Sequence, residues 1–182
     1  KILHLRSGAL FIQAEMAIDV DGSPNARTLD PLYGQLRSSM SLPGVAGQRL
    51  YVDAERIPYF VLPSGLYHQF GIELGDLAAV VYRGKLAFAI FVDVGPTKKI
   101  GEGSIKLAEL LGHAPWRNWH DGETFSTHGG ISAPEVIYIV FPGSHLPDLP
   151  PDLAPAETVD LINRHGAILF KSIGGRLPDI ML

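Results

Sequence analysis

Short apolar runs separated by turn residues dominate the pattern of this chain. The longest run, Leu86 to Val92, is continuous, and a second, Val136 to Phe141, resembles it. Runs of this length between turn signals are typical of strands that are buried on both faces. We therefore predict two buried strands here, and neither run approaches the roughly 18 apolar residues that would span a bilayer.

A hairpin is predicted just before the first of these strands. Leu77 to Tyr82 is apolar, and only Arg83-Gly84-Lys85 separates it from the run that begins at Leu86. Two apolar runs joined by a short, glycine-containing loop indicate an antiparallel pair. Two further short strands are predicted at 50–53 and 58–63, where prolines bound the apolar residues.

The pattern is less decisive at the two ends. Residues 9–18 fit either two short strands or one helix, because neither period is complete. Near the C terminus we predict a helix over 158–165 that Gly166 ends, followed by a last short strand over 167–170. A proline-rich stretch, 145–156, reads as a surface connector.

Long irregular segments separate these elements. Residues 27–48 are polar and glycine-rich, with room for one helical turn near 32–36. Connections this long inside a domain are usually functional or mobile. We predict one domain over 1–182 that is mainly β, built as a closed barrel or sandwich with long loops and one or two short helices.

Composition and charge narrow the classes of function. The chain has no cysteine, which excludes disulfides, thiolate metal sites and thiol catalysis. Its formal net charge is −4 and it has no cluster of lysine and arginine, so nucleic-acid binding is not expected. A mildly acidic surface is compatible with a cationic substrate. No signal peptide is visible, and we expect a monomer with no membrane partner.

The stretch from Phe91 to Ser104 carries the sharpest chemical signal. Asp93 ends the long apolar strand, where an ionisable group is costly unless it serves a purpose. Glu102 lies between two glycines, nine positions later, and the two lysines between the acids could hold one carboxylate ionised while the other keeps its proton. Ser104 is a suitable N-cap for a short helix over 105–111. Two carboxyls that face each other across a cleft can serve as general acid and base on a glycosidic bond, although a turn with solvated charges fits the same spacing.

Two other groups of residues have both a structural and a functional interpretation. Asp19 and Asp21 either bind a cationic group or cap the end of a strand through an Asx turn. Trp116 and Trp119 either stack on sugar rings or fold onto the surface of the domain. The histidines of the same segment have no metal-binding spacing, so no metal or other cofactor is predicted; they are His113, His120 and His128.

The segment from Asp93 to Ser104 resembles the signature of the glycoside hydrolase family 75 chitosanases. Flanking motifs are similar to that family in the same order, and the resemblance covers roughly residues 16 to 144. They are Ile18-Asp19-Val20-Asp21-Gly22-Ser23-Pro24, Tyr51-Val52-Asp53-Ala54, Ile57-Pro58-Tyr59, Gly75-Asp76-Leu77-Ala78 and Tyr138-Ile139-Val140-Phe141-Pro142-Gly143-Ser144. The run from Gly75 to Leu111 also looks like the double-psi β-barrel, which implies a six-stranded barrel.

The resemblance implies endo-hydrolysis of β-1,4-linked glucosamine polymers with inversion of configuration. Asp93 would be the general base and Glu102 the general acid, and Asp19 and Asp21 would bind the substrate's ammonium groups. Lys98, Trp116 and Trp119 are the other expected substrate-binding residues. Such an enzyme would be secreted or reside in the cell envelope.

Two departures from the family pattern and two rival functions accompany this expectation. Val94 stands where a small polar residue is expected, and the cysteines of fungal members are absent, which points to a bacterial relative. Some double-psi barrels bind polysaccharide or cell wall without cleaving it, so a non-catalytic binding barrel is the alternative. A hydrolase that acts on a different polymer is the third hypothesis.

Overall fold

The computed structural model describes residues 1–113, 129–146 and 149–177, and these form nine strands and four α-helices. The strands are Ile2–His4 (β1), Leu10–Asp19 (β2), Ser41–Pro43 (β3), Arg49–Tyr51 (β4), Tyr59–Pro63 (β5), Leu77–Tyr82 (β6), Lys85–Gly95 (β7), Glu102–Ser104 (β8) and Ile131–Phe141 (β9). The helices are Ala26–Leu29 (α1), Ser64–Gln69 (α2), Ile105–Leu110 (α3) and Pro155–Ser172 (α4). None of these helices is both long and apolar enough to cross a membrane.

Six strands close into a barrel in the order β2-β8-β5-β7-β6-β9, and β9 pairs with β2 to complete the circle. The pairs β2/β8 and β5/β7 are parallel, and the other four are antiparallel. β1 adds to the first half of β2, whereas β3 and β4 form a separate two-stranded sheet. The predicted class, a mainly β protein with a closed six-stranded barrel, is confirmed.

Apolar side chains cover both faces of the central strands. In β7, Ala87, Ala89 and Phe91 belong to the cluster that fills the barrel, and Phe88 and Ile90 belong to a second cluster on its outer face. Because successive side chains of a strand point to opposite faces, a strand covered on both sides needs a continuous apolar run. Burial on both faces explains the continuous apolar run from Leu86 to Val92, from which a buried strand was predicted.

Several predicted elements are confirmed. The hairpin consists of β6 and β7 with a turn at Arg83 and Gly84. Ser104 caps α3, because its side-chain oxygen accepts a hydrogen bond from the amide of Leu107. The ambiguous N-terminal segment is extended: β2 is one ten-residue strand, with an irregularity in its pairing to β9 between Ala14 and Met16.

Other predictions were wrong. The helical turn expected near 32–36 lies earlier, at Ala26–Leu29. Near the C terminus, α4 begins at Pro155, inside the expected connector, and continues through Gly166 to Ser172, so the strand predicted over 167–170 is helical. Proline suits the first turn of a helix, because the amide that it lacks would have had no partner there.

The chain stays helical at Gly166, and packing against Phe88 explains why the residue is a glycine. A Cβ atom at this position would lie 2.5 Å from Cγ of Phe88 and 2.8 Å from its Cβ. The glycine therefore lets the helix lie directly on the Phe88 ring, which also packs edge-on against Phe170. A close helix–sheet contact, and not the end of the helix, accounts for this residue.

We predict that Gly166→Ala destabilises the protein by about 1–3 kcal/mol, because the added methyl group overpacks the contact with Phe88. In an exposed helix the same change would stabilise by about 1 kcal/mol. Chemical denaturation of the variant tests this. The double variant with Phe88→Leu should recover part of the loss, and a stabilised single variant would contradict the packing argument.

Candidate active site

Asp93 and Glu102 flank the same residue of the barrel. In the parallel ladder of β5 and β7, Val61 is opposite Asp93, and in the antiparallel ladder of β5 and β8 it is opposite Glu102. Directly paired residues share a face of the sheet, so both acids point the same way, outside the barrel. Their Cα atoms are two strand spacings apart, roughly 10 Å.

A register shift in β7 places Asp93 in this row. Phe60 pairs with Phe91, but the next residue, Val61, pairs with Asp93 and skips Val92. With regular pairing, Val92 would be opposite Val61. Irregularities of this kind are common beside active sites, where they re-aim a side chain.

Asp19 lies in the adjacent row on the same outer face. It pairs with Ser104 of β8, two positions beyond the pair of Ala17 with Glu102. Asp21 follows in the turn after β2. The strands thus bring together all four carboxylates that the sequence singled out.

These acids line a cleft of about 850 Å³ on the outer face of the barrel. Six of the lining residues are acidic and two are basic. The ionisable side chains of the lining are Glu15, Asp19, Asp21, Asp30, Tyr33, Arg37, Asp93, Lys99 and Glu102. Such an excess of negative charge favours a cationic ligand. In the described part of the chain, no group of three or more candidate ligands is arranged to hold a metal ion.

Three donors orient the carboxylate of Asp93. The amides of Ser39 and Val94 donate to its Oδ1 at 2.9 and 2.8 Å, and the Ser39 hydroxyl also donates to this oxygen. From the described residues, Oδ2 receives no hydrogen bond. One oxygen is therefore fixed by the protein, and the half-buried carboxylate is directed into the cleft.

Glu102 is held from two sides. Its Oε1 accepts a hydrogen bond from Nζ of Lys99 at 2.7 Å in an ion pair. Its Oε2 lies over Gly95, where a Cβ atom would be only 2.6 Å away. The side chain of Glu102 is 15% exposed, whereas that of Lys99 is 43% exposed. The acid is thus fixed in the cleft wall, and its counter-ion reaches it from solvent.

Gly101 allows β8 to approach β2. Its φ of +99° is in the region that favours glycine, and a Cβ atom there would collide with the carbonyl oxygen of Glu15. Because the two strands approach closely here, Glu102 pairs with Ala17 in the ladder of β2 and β8. Gly101 therefore serves a close contact between strands.

The carboxyl groups of Asp19 and Asp21 accept hydrogen bonds from backbone amides, but their surroundings disfavour the charged form of each. The amide of Asp21 donates to Oδ1 of Asp19 at 3.1 Å, and the amide of Gln35 donates to Oδ1 of Asp21 at 2.8 Å. Burial, reinforced by the charge of Asp21, raises the pKa of Asp19 to about 8. Burial also raises the pKa of Asp21 to about 6, with added repulsion from Asp93 and Glu102. The buried Tyr59, whose hydroxyl donates to the carbonyl oxygen of Asp21 at 2.9 Å, has a raised pKa for the same main reason.

The long segment 27–48 forms one wall of the cleft. Oδ1 of Asp30 accepts hydrogen bonds from the amides of Leu32 and Tyr33, both at 3.1 Å. The same segment supplies the amides of Gln35 and Ser39, which donate to Asp21 and Asp93. Tyr33 lines the cleft and is 77% exposed. The functional interpretation of this connection agrees with its position, although the sequence did not identify Ser39, Gln35 or Tyr33. Only its unusual length pointed to it.

Of the other predicted substrate-binding residues, the structure describes only Lys98. Lys98 is exposed and is not part of the cleft lining. Trp116 and Trp119 lie outside the described residues, as do His120 and His128. Lys99 shows that a lysine between the acids does pair with one of them, and that acid is Glu102.

Paired carboxyls across an acidic cleft on a rigid scaffold are the arrangement that glycoside hydrolases use. The family whose model matches the chain is described as fungal chitosanase of glycosyl hydrolase group 75, and the match covers residues 16–165. The chain belongs to this family and is a glycoside hydrolase of the chitosanase type. No curated protein matched the chain.

We predict that Asp19→Asn stabilises the protein by about 1–2 kcal/mol near pH 8 and has little effect near pH 4. The folded-state pKa of Asp19, about 8, is above its ordinary value of 3.8. The folded protein therefore retains a proton that the unfolded chain loses, and stability falls as pH rises between these values. Asparagine removes this titration and keeps the oxygen that accepts from Asp21.

Chemical denaturation across this pH range measures the effect. Asp152→Asn is the matched control, because the amide of Ala154 donates to Oδ1 of the exposed Asp152 at the same 3.1 Å and the same two-residue spacing. Parallel stability curves for wild type and Asp19→Asn would contradict the prediction.

Proposed function

We propose that this protein cleaves β-1,4 linkages inside chitosan-like glucosamine polymers with inversion, with Asp93 as general base and Glu102 as general acid. The observation that carries the proposal is the row in which both acids flank Val61 on one face of the barrel. Two carboxyls on the same face, separated by one strand, can act on opposite sides of one sugar ring.

The backbone spacing around the two acids leaves room for the gap that inversion needs. Glu102 leans across β5, so that its Oε2 lies beside Gly95 of β7. The Cα atom of Gly95 is two residues along β7 from that of Asp93, roughly 6.6 Å, so Oε2 of Glu102 lies about one such step from the backbone of Asp93. Inverting enzymes hold their carboxyls about 6.5–9.5 Å apart, which leaves room for water, whereas retaining enzymes hold them about 5–5.5 Å apart.

The proposed reaction uses each carboxyl once. Glu102 donates its proton to the glycosidic oxygen as the bond from that oxygen to the anomeric carbon breaks. Asp93 accepts a proton from a water molecule, whose oxygen forms the new bond to the anomeric carbon from the opposite side. The donors on Oδ1 of Asp93 orient the carboxylate, so that Oδ2 can receive the proton.

The charge of the cleft supports a cationic polymer as substrate. Asp19 and Asp21 lie beside the two catalytic candidates and are the proposed partners of substrate ammonium groups. A bound cation would favour their ionised forms and so offset the burial, and the added repulsion from neighbouring acids, that raise the pKa of both. We retain Lys98, Trp116 and Trp119 as proposed contacts to more distant sugar units, and secretion or the cell envelope as the proposed location.

One observation favours the alternative function, a polysaccharide-binding barrel without catalysis. Lys99 pairs with Glu102 at 2.7 Å, and an ionised glutamate cannot donate a proton. The unequal exposure of the two side chains argues against a permanent pair, because Lys99 is substantially exposed and Glu102 is not. Measurements of hydrolysis and of binding on the same variants decide between the two functions.

We predict that Glu102→Gln and Asp93→Asn each lower chitosan hydrolysis by about 10²–10⁴-fold, because each removes one proton transfer. Binding of a glucosamine oligomer should persist in both variants, since the cleft keeps its shape. Reducing-end release and calorimetry measure the two properties, and NMR of the first product shows whether its anomer is inverted.

Chitin, peptidoglycan and β-glucan serve as the comparison substrates for the wild type. Substantial turnover by Glu102→Gln would reject the assignment of the acid. Binding of chitosan by a wild type that cleaves none of the polymers would establish the non-catalytic function, and faster cleavage of a comparison polymer would establish a different substrate.

We also predict that Gly95→Ala lowers kcat by about ten- to a hundredfold with little change in unfolding temperature. The new Cβ atom would lie 2.6 Å from Oε2 of Glu102 and 3.1 Å from Cγ1 of Val61, so the carboxylate must move. Gly65→Ala is the control, because the nearest atom to its Cβ atom, Cγ2 of Thr97, is 3.8 Å away. Equal activity of the two variants would show that the position of this carboxylate is not critical.

A further inference from the structure

The ion pair of Lys99 with Glu102 conflicts with the role of Glu102 as general acid. The pair stabilises the ionised carboxylate, but the proposed reaction requires the protonated form. We propose that Lys99 is a displaceable counter-ion, an inference that rests on the function proposed above. Lys99 holds Glu102 ionised in the free enzyme and leaves it when a sugar unit binds.

The geometry of the pair makes Lys99 the partner that moves. Lys99 belongs to the turn between β7 and β8, where its amide donates to the carbonyl oxygen of Pro96 at 3.0 Å. Its side chain is a flexible chain of four carbons and is 43% exposed, so its ammonium group can return to water at little cost. Glu102 is 15% exposed and lies between neighbouring strands, so it stays in place.

The charges that remain favour protonation of Glu102 once Lys99 has left. Asp93 faces it from β7, Glu15 lines the cleft from β2 and Asp21 lies beyond the end of β2, whereas Asp19, whose pKa burial raises to about 8, contributes a charge only when it is ionised. Carboxylates that surround a carboxyl group favour its neutral form. The other titratable or charged groups near it are Tyr138 of β9, and Asp30, Tyr33 and Arg37 of the wall formed by residues 27–48.

Displacement therefore converts Glu102 from an ionised residue into an acid at the moment of binding. The sugar that displaces Lys99 also excludes water and brings the glycosidic oxygen that takes up the proton. The proton that Glu102 gains comes from solvent, and Lys99 remains protonated throughout. No further co-reactant is needed.

The two kinetic constants should report this change separately. The pH dependence of kcat/KM reflects groups of the free enzyme, and that of kcat reflects groups of the enzyme–substrate complex. In Lys99→Met, the alkaline limb of kcat/KM should move to higher pH, because the free enzyme no longer ionises Glu102 through the pair. The kcat profile should keep its limbs, because Lys99 has already left Glu102 in the complex.

We expect the ratio of kcat/KM near pH 8 to that near pH 5 to rise about three- to tenfold in Lys99→Met, measured with a glucosamine hexamer. Lys106→Met is the control, because Lys106 forms the same i,i+3 pair with Glu109 at 3.4 Å on α3, outside the cleft. It should follow the wild-type profile. The hexamer's own amino groups titrate identically in every assay, so only differences between variants count.

The possible outcomes separate this inference from the proposed function. Wild-type hydrolysis with unchanged profiles in Lys99→Met overturns the displaceable counter-ion alone. A uniform loss of kcat at every pH also overturns it, because Lys99 would then act in the chemical step. A wild type that binds but does not cleave the hexamer rejects the proposed catalysis.

NMR of the ¹³C-labelled carboxyl group of Glu102 provides a readout without turnover. In Asp93→Asn, saturating hexamer should move this signal toward the protonated form, and in Asp93→Asn/Lys99→Met the free protein should already be shifted that way. A signal that does not respond to the hexamer overturns the inference, whatever the wild-type enzyme cleaves.

Discussion

The pairing of β5 with its two neighbours is the constraint on which the site depends. Val61 is opposite Glu102 on one side and Asp93 on the other, and a slip of one residue in either ladder would turn one acid toward the barrel interior. The alternation of β5 opposes such a slip, because Phe60 and Leu62 fill the interior. The irregularity that skips Val92 is equally necessary, since it directs Asp93 outward while Phe91 remains inside. The core and the site are therefore specified by the same register.

A second constraint is the concentration of like charge that this register produces. Several carboxyls share one cleft, where burial, with added repulsion between them, raises the pKa of Asp19 and of Asp21. The segment 27–48 offsets part of this cost, because donors from Gln35 and Ser39 hold two of the acids. Charges that oppose folding in the empty protein can attract a cationic polymer. The destabilising feature of the fold is thus also the one on which the proposed binding of a cationic polymer rests.

How much of this was predictable from sequence depends on how local each signal is. The hairpin of β6 and β7 was predictable, since its strands are adjacent and apolar. The strand that carries Glu102 was not, because Glu102–Ser104 is only three residues long and has no apolar pattern. Its partners are distant along the chain, so pairing alone defines it. Gly166 misled for a related reason: the atom that requires a glycine there belongs to Phe88, which no local pattern reveals.

The acids themselves were predictable as candidates, but the spacing between them was not. Nine positions separate Asp93 from Glu102 in sequence, whereas Val61, which lies between them in the sheet, sets the gap between them in space. An apolar side chain such as that of Val61 gave no reason to consider this residue part of the site. Lys99 illustrates the same limit, because sequence showed two lysines between the acids without showing which would pair, or with which acid. The structure answers with a pair between the exposed lysine and the enclosed glutamate. That asymmetry matters, because in a cleft lined by six acids and two basic residues the partner of Glu102 that can move is the one that reaches it from solvent.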